Sequence, residues 1–278
     1  MVKFGVCLPI FEGASARRNT MGAEGIVNFA VKAESLGYDS LWAADHLIMG
    51  GPGGMYEVWT VLSAVAGRTS RIRIGPLVLC NSHRSPALVA KMAATLDVLS
   101  SGRLDLGLGA GWYKAEQLAY GLPWVESPRE RLAMLEEAVV LTKALFTQPR
   151  VTFNGEYYKV TDAVCQPSPV QKPWPPIWIG GAGEKVLLRI VARHADAWNV
   201  PALTVDEYAH KLDVIRGHCG AVGRDYDAIE KSMETRLLFF NRRSEMERVV
   251  DWYHRFMGDV GQAGALKPKA ETGGQLRD

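Results

Sequence analysis

The chain reads as a (β/α)8 barrel, and three observations lead there. Short apolar runs alternate with amphipathic segments along almost all of its 278 residues. Polar or glycine-rich groups stand where the runs end: Asp45-His46, Asn81-Ser82-His83, Gly109-Ala-Gly-Trp112, Gly180-Gly-Ala-Gly183 and Asn199. A barrel gathers all of these on one rim, whereas an open doubly wound sheet, the alternative, draws its ligand crevice mainly from its switch point. Finally, no dinucleotide fingerprint opens the chain; Gly107-x-Gly109-x-Gly111 follows the fourth run instead.

The elements follow in order. Strands are expected at Phe4–Leu8, Ser40–Ala44, Ile72–Val78, Leu104–Leu108, Ile177–Ile179, Ala197–Val200 and Leu237–Phe240, several apolar throughout, as parallel strands covered on both faces are. After the first strand, Ile26, Phe29, Ala30 and Ala33 share a helical face, with Gly37 as a left-handed stop. After the third, Ser85 caps a helix with Pro86 in its first position, and Leu88, Met92, Leu96 and Leu99 recur on one side. Val151–Val160, with Asn154-Gly155 at its turn, reads as a hairpin inserted before strand 5, and the proline-rich Pro167–Pro176 follows it. Such an insertion builds either a wall of the site or a surface decoration. In the helix after Gly183, His194 falls in register with Leu187, Ile190 and Val191, a structural position. Ser244 with Glu247 makes a capping box for a last helix, carrying Met246, Val249, Val250, Tyr253 and Met257 on one side. Beyond it the sequence turns polar, and strand 8 is missing or atypical, with a short run near Ala263–Leu266 its only trace. The expected organisation is a barrel domain at 1–258 and a polar tail at 259–278.

Composition narrows the function. Apolar residues make up 47% and charged residues 22%, an ordinary globular balance, and the net charge of +2 favours neither nucleic acid nor a membrane surface. Four cysteines without a C-x-x-C pair predict neither a zinc site nor a disulfide framework. Without a leader-like start or a spanning run, the expected place is the cytoplasm. The expected partners are a small-molecule substrate and a second copy of the chain in a homodimer, which would also cover the strand edges of an open barrel. No paired histidines or carboxylate cluster have metal-ligand spacing, so a metal-dependent hydrolase is disfavoured.

Ile177-Trp-Ile-Gly-Gly-Ala-Gly-Glu184 is the sharpest site signal, a buried strand running into a glycine-rich helix start. Small residues let the backbone approach an anion, and first-turn amides lack intrahelical partners, so Gly181, Ala182, Gly183, Glu184 and Lys185 form a phosphate-holding turn or a plain tight turn. A Glu184 carboxylate repels phosphate, so its side chain is expected to point away, leaving its N–H to bind.

Three stretches together resemble a known family: Tyr38-Asp-Ser-Leu-Trp-Ala-Ala-Asp-His46, the run from Ser85-Pro-Ala-Leu through Leu108-Gly-Ala-Gly-Trp112, and Ile179-Gly-Gly-Ala-Gly-Glu-Lys185 with Arg193-His-Ala-Asp-Ala-Trp-Asn199. They resemble the bacterial luciferase-like monooxygenase superfamily and, within it, the branch using the deazaflavin coenzyme F420, over roughly residues 1–250. The resemblance implies a luciferase-like barrel and an oxidoreductase passing a hydride between the deazaflavin C5 and a small organic substrate. The alternatives are an FMN-dependent monooxygenase and a non-catalytic flavin-binding relative. By the same resemblance, His46 is the proton-transfer residue, a role suited to a side chain that titrates near neutrality, and Glu116 is either a second acid–base group or a solvated helix residue. Asp45 is either a cofactor contact or a cap for the next loop. Gly109, Ala110 and Gly111 would lie against the ring, Trp112 would wall the pocket, Asn81 would offer a polar contact, and the Gly181–Lys185 turn would take the tail phosphate. His83 either touches ligand or caps the helix after it.

Overall fold

The computed structural model describes residues 2–11, 22–48, 54–201, 203–237, 245–248 and 250–251. The elements run β1 (Gly5–Cys7), α1 (Ala23–Ser35), β2 (Ser40–Ala43), α2 (Val58–Ala66), β3 (Arg73–Pro76), β4 (Leu79–Cys80), α3 (Pro86–Leu99), β5 (Leu106–Gly109), α4 (Lys114–Ala119), α5 (Pro128–Thr147), β6 (Val151–Asn154), β7 (Lys159–Ala163), β8 (Ile177–Gly180), α6 (Leu187–His194), β9 (Ala197–Pro201), α7 (Val205–Val222) and β10 (Glu230–Glu234).

Parallel pairing carries the chain around an arc in sequence order. β1 pairs with β2 and β2 with β3, while β4, β5, β8, β9 and β10 follow one another in a second sheet. β3 falls within the expected strand Ile72–Val78 and β4 lies just beyond its end, and an Ile74–Leu104 bridge joins the sheets. The registers Trp42 to Gly75, Cys80 to Gly109, Leu108 to Ile179, Gly180 to Asn199 and Val200 to Met233 bring the carboxyl ends of all these strands to one rim. At the amino-terminal side, Lys3 meets Glu230 at 3.0 Å, so the two ends of the arc approach each other.

Inside the arc, missing side chains make room for large ones. The methyls of Val78 would lie 2.7 Å from a Cβ at Gly109 and 2.9 Å from one at Gly180, so Val78 fills space that neighbouring strands leave open. Trp42 and Trp178 meet edge to face at 4.8 Å nearby. Outside, Ile26, Ala30 and Ala33 of α1 are buried, Phe29 packs beside them, and Gly37 takes φ 82° as the left-handed stop.

Several expectations are corrected. The buried face of α3 is Val89, Ala90, Ala93, Ala94 and Leu96, whereas Leu88 and Leu99 are exposed. An alanine-rich stripe lets the helix dock closely on the sheet, and that outweighs the size of the leucines. Pro86 does open the helix, but the Ser85 side chain makes no cap hydrogen bond. The strand beside β9 is Glu230–Glu234, not Leu237–Phe240; Leu237 lies outside any strand, and 238–240 are outside the described residues. The inserted hairpin is present, but Asn154 pairs with Lys159, so the turn is Gly155–Tyr158 rather than a two-residue Asn-Gly turn. Its amides are held by the Glu137 carboxylate, which accepts from Glu156, Tyr157 and Tyr158 at 2.9, 3.0 and 2.6 Å. Ser244 of the capping box, a closing strand near 263–266 and the division at 258/259 lie outside the described residues.

Candidate active site

β2 ends at Ala43, and the chain then turns Asp45 inward and His46 toward the rim. Asp45 is buried, and its neighbours account for both oxygens. Arg84 donates to Oδ1 at 3.0 Å and to Oδ2 at 2.8 Å, and the Cys80 N–H donates to Oδ2 at 2.9 Å. Arg84 also donates to Glu57 at 2.8 Å, which in turn caps α2 through the amides of Trp59 and Thr60. Burial opposes the Asp45 charge, but His83 and Arg84 outweigh it and hold its carboxyl below the usual range.

His46 is fixed from the far side. Its Nδ1 lies 3.1 Å from Glu116 Oε1, while Glu116 Oε2 accepts the Leu47 and Ile48 amides, the latter at 3.0 Å. Glu116, in α4, is only 1% exposed, which removes the solvated-helix alternative. Burial pushes its carboxyl up, yet hydrogen bonds from His46 and Ile48 and the His83 ring 3.5 Å away prevail and bring it down to about 2. An ionised Glu116 accepts the Nδ1 proton of His46, leaving Nε2 as the ring nitrogen for a ligand. The His46 ring stands edge-on to Trp112, centroids 5.3 Å apart, and Trp112 stacks on Tyr113 at 5.2 Å.

Beyond them the rim continues through Asn81, whose N–H meets the Gly109 carbonyl at 2.9 Å and whose Nδ2 donates to the Tyr158 hydroxyl at 2.8 Å. The inserted hairpin thus forms a wall of the site. Gly111 takes φ 78°, and a Cβ there would sit 2.5 Å from Cys80 Sγ, so this backbone approach requires glycine. A cavity of about 220 Å³ opens beside Ala110, lined by Asn81, Arg84, Arg131 and Tyr158 among others. Arg131 lies over Trp124 at 4.4 Å, and its Nε is buried without a hydrogen-bond partner among the described residues.

On the other side of Gly109, the chain leaves β8 through Gly181, at φ 133°. The helix proper begins only at Leu187, so residues 182–186 form an open turn whose Ala182, Gly183 and Glu184 amides donate to no described backbone group. The Glu184 side chain points away, to Lys211 and His210 of α7. His194 has the expected structural place, bonded to Glu136 at 3.1 Å.

The rim therefore brings together His46, Glu116, Asp45, Asn81, Gly109, Ala110, Gly111 and Trp112, with Gly181–Lys185 one strand further on. Reading the sequence missed Arg84, Glu57, Arg131 and Tyr158, and His83 turned out neither cap nor exposed contact but a ring buried between Asp45 and Glu116. No cluster of three metal-ligating side chains occurs among the described residues. Nor, among them, is any helix long and apolar enough to cross a membrane.

Comparison with known proteins places this rim in a family. The model of the luciferase-like monooxygenase family matches residues 2–277. An F420-dependent glucose-6-phosphate dehydrogenase from Amycolatopsis mediterranei is 32% identical over 82% of this chain and 68% of its own length. A phthiodiolone/phenolphthiodiolone dimycocerosates ketoreductase from Mycobacterium bovis is 30% identical over 79% of this chain and 62% of its own. Among solved structures, an F420-dependent secondary alcohol dehydrogenase in complex with an F420–acetone adduct superposes with a TM-score of 0.74, at 23% identity over 83% of this chain and 68% of that one, a likeness of fold. The extent of these matches leads to one conclusion: the chain belongs to the luciferase-like monooxygenase family, as a member with the barrel fold.

Proposed function

We propose that this protein is an F420-dependent oxidoreductase that interconverts an alcohol and a carbonyl in a small organic substrate. The observation that carries the proposal is the His46–Glu116 couple on the rim, with one imidazole nitrogen held by a buried carboxylate and the other left outside that bond. The relatives' names support the reaction class, since dehydrogenase and ketoreductase describe the two directions of one interconversion.

The residues present fit a deazaflavin. Trp112, edge-on to His46 and stacked on Tyr113, offers an aromatic wall for its ring beside the Gly109–Gly111 backbone, whose missing side chains give room to Val78 and Cys80. The open turn offers the Ala182, Gly183 and Glu184 amides to an anionic tail, with the Gly181 amide taken by the Asn199 carbonyl and the Glu184 carboxylate turned away. The unpartnered guanidinium nitrogen of Arg131 is a further donor, suited to the same anionic group or to one on the substrate. When bound, the cofactor supplies hydride exchange at its C5.

The protein's part is positioning and proton handling. In the oxidative direction His46 Nε2 takes the hydroxyl proton of the substrate, and Glu116 stabilises the resulting imidazolium; in the reductive direction the same nitrogen returns the proton to the new alkoxide. Asp45 has its oxygens committed to Arg84 and Cys80, so in this scheme it is a positioning residue that ties the His46 loop to the next strand.

Fluorescence quenching with F420 and with FMN, followed by turnover of the preferred cofactor with a panel of secondary alcohols, tests the proposal. F420 is expected to bind more tightly and to be reduced, and His46→Ala is expected to lower turnover far more than cofactor affinity. Preference for FMN with oxygen consumption would replace this reading with a monooxygenase.

A further inference from the structure

His83 has a place the mechanism does not use. Its side chain is 2% exposed, with Nδ1 3.4 Å from Asp45 Oδ2 and Nε2 3.5 Å from Glu116 Oε1, and those carboxylates are themselves 1% and 2% exposed. A neutral imidazole carries one N–H, so whichever nitrogen bore it, the other would turn a lone pair toward a buried carboxylate oxygen. Protonating a carboxylate instead is disfavoured on both sides. Asp45 accepts from Arg84 and the Cys80 amide, and Glu116 from His46 and the Leu47 and Ile48 amides, donor sets that require ionised oxygens. Charge balance agrees. Arg84 is shared between Asp45 and Glu57, which leaves Glu116 without a cation of its own unless one of the two histidines beside it is charged. The remaining groups nearby, Cys80 Sγ with the Ser82 hydroxyl and the Gln117 amide, are hydrogen-bonding partners of one another.

We infer that His83 is a standing imidazolium bridging Asp45 and Glu116, a positioning residue that keeps Glu116 ionised and thereby keeps the Nδ1 proton on His46. Burial weakens such a charge, but Asp45, Cys80 and Glu116 outweigh it and push the ring up to about 11. The first half of this inference is a property of the folded protein alone; the second rests on the proposed role of His46.

The test is nitrogen NMR of the protein without cofactor, its histidines 15N-labelled, between pH 5 and 10. With six histidines in the chain, the His83 signals are identified as those lost in His83→Gln, or by elimination through single substitutions of the other five should that variant not fold. One ring is expected to keep both nitrogens protonated through about pH 9, more than two units above the ordinary histidine range. A His83 ring that is neutral at pH 8 overturns the inference. In turnover, His83→Gln should move the acid limb of the kcat profile up by about one pH unit or more, because Glu116 returns toward the usual carboxylate range, and His83→Lys should bring it back. An unmoved limb alongside a protonated His83 overturns the link to His46. Wild-type protein that neither binds nor reduces F420 overturns the proposed function while leaving the NMR result standing.

Discussion

Replacing Glu116 by glutamine separates its roles cleanly, because the side chain keeps its shape and loses only charge and one acceptor. Oε2 takes two backbone amides, and Oε1 faces His46 Nδ1 at 3.1 Å and His83 Nε2 at 3.5 Å. A glutamine oxygen in the first seat keeps the amides but turns its NH2 on two imidazole nitrogens. The least costly response is for the His46 proton to move to Nε2, which reverses the polarity of the nitrogen that meets the substrate. Hydrogen bonds to a charged group contribute about 1.5–3 kcal/mol each, and removing one partner of a buried ion pair costs about 3–5 kcal/mol. Since the amide contacts survive, Glu116→Gln should lower unfolding free energy by roughly 3 kcal/mol. Losing the aligned base should lower kcat by about 10²–10⁴-fold, with cofactor Kd changed far less. Urea denaturation reads the first number and single-turnover absorbance of the deazaflavin the second. A variant within about 1 kcal/mol of the parent in stability and about twofold in kcat would refute the couple as both anchor and base.

Other perturbations follow from the same geometry. His83, raised from 6.5 to about 11, contributes stability that is fully present below about pH 6.5 and is lost as pH rises toward 11, at up to about 1.4 kcal/mol per pH unit; denaturant titrations of His83→Gln should show that alkaline slope flattened. Glu116, lowered from 4.5 to about 2, contributes stability present above about pH 4.5 and lost as pH falls toward 2, a loss that Glu116→Gln should abolish in acid-unfolding curves. Arg131→Met removes the guanidinium that lies over Trp124, with its unbonded Nε and its bonds to the Val125 and Glu126 carbonyls, so F420 affinity should fall roughly 10–100-fold in fluorescence titrations; an unchanged Kd would place the anionic group elsewhere. Gly183→Leu should weaken the same affinity without a change in kcat at saturation, and unaltered binding would count against the turn as an anion site.

How far these features could be read in the sequence depends on whether a signal was local. Strand ends were legible because a buried parallel strand is an apolar run and its functional end is a sudden Asp-His or a cluster of glycines, both contiguous in the chain. β10 escaped the same reading because Glu230-Lys-Ser-Met-Glu234 lies at the edge of the described sheet, half in solvent, where no apolar run is needed. On α3 the period was right and the face half right, Leu96 buried and Met92 packed on the core but Leu88 and Leu99 exposed, because leucine was weighed by hydrophobicity while alanine was chosen for close approach. Arg84, Tyr158 and His83 were hidden for another reason: their partners lie far away in sequence, 39 residues from Arg84 to Asp45 and 77 from Asn81 to Tyr158. A tertiary contact of that span leaves no periodicity. The nearest available clue was chemical, a histidine and an arginine side by side immediately after a strand end already rich in polar groups.

That distinction explains why Glu116 stood at even odds in the sequence and at the centre of the structure. Its helix is short, Lys114–Ala119, and a carboxylate beside a lysine looks solvated. What buries it is the loop after β2, whose Leu47 and Ile48 amides belong to no helix or strand and must find acceptors elsewhere. One carboxylate therefore satisfies two orphan donors and fixes an imidazole in the same stroke, so local folding and proton handling are coupled at a single side chain. The cost of such an arrangement is an uncompensated buried charge, and a bridging His83 cation answers it from the next strand end. The rim then alternates charge from Arg84 through Asp45 and His83 to Glu116, which holds the His46 ring, and each group is held by residues from a neighbouring loop rather than its own. A site built this way resists piecemeal substitution: changing any one member shifts the charge state of the next, and only paired substitutions that keep the alternation should preserve both fold and turnover.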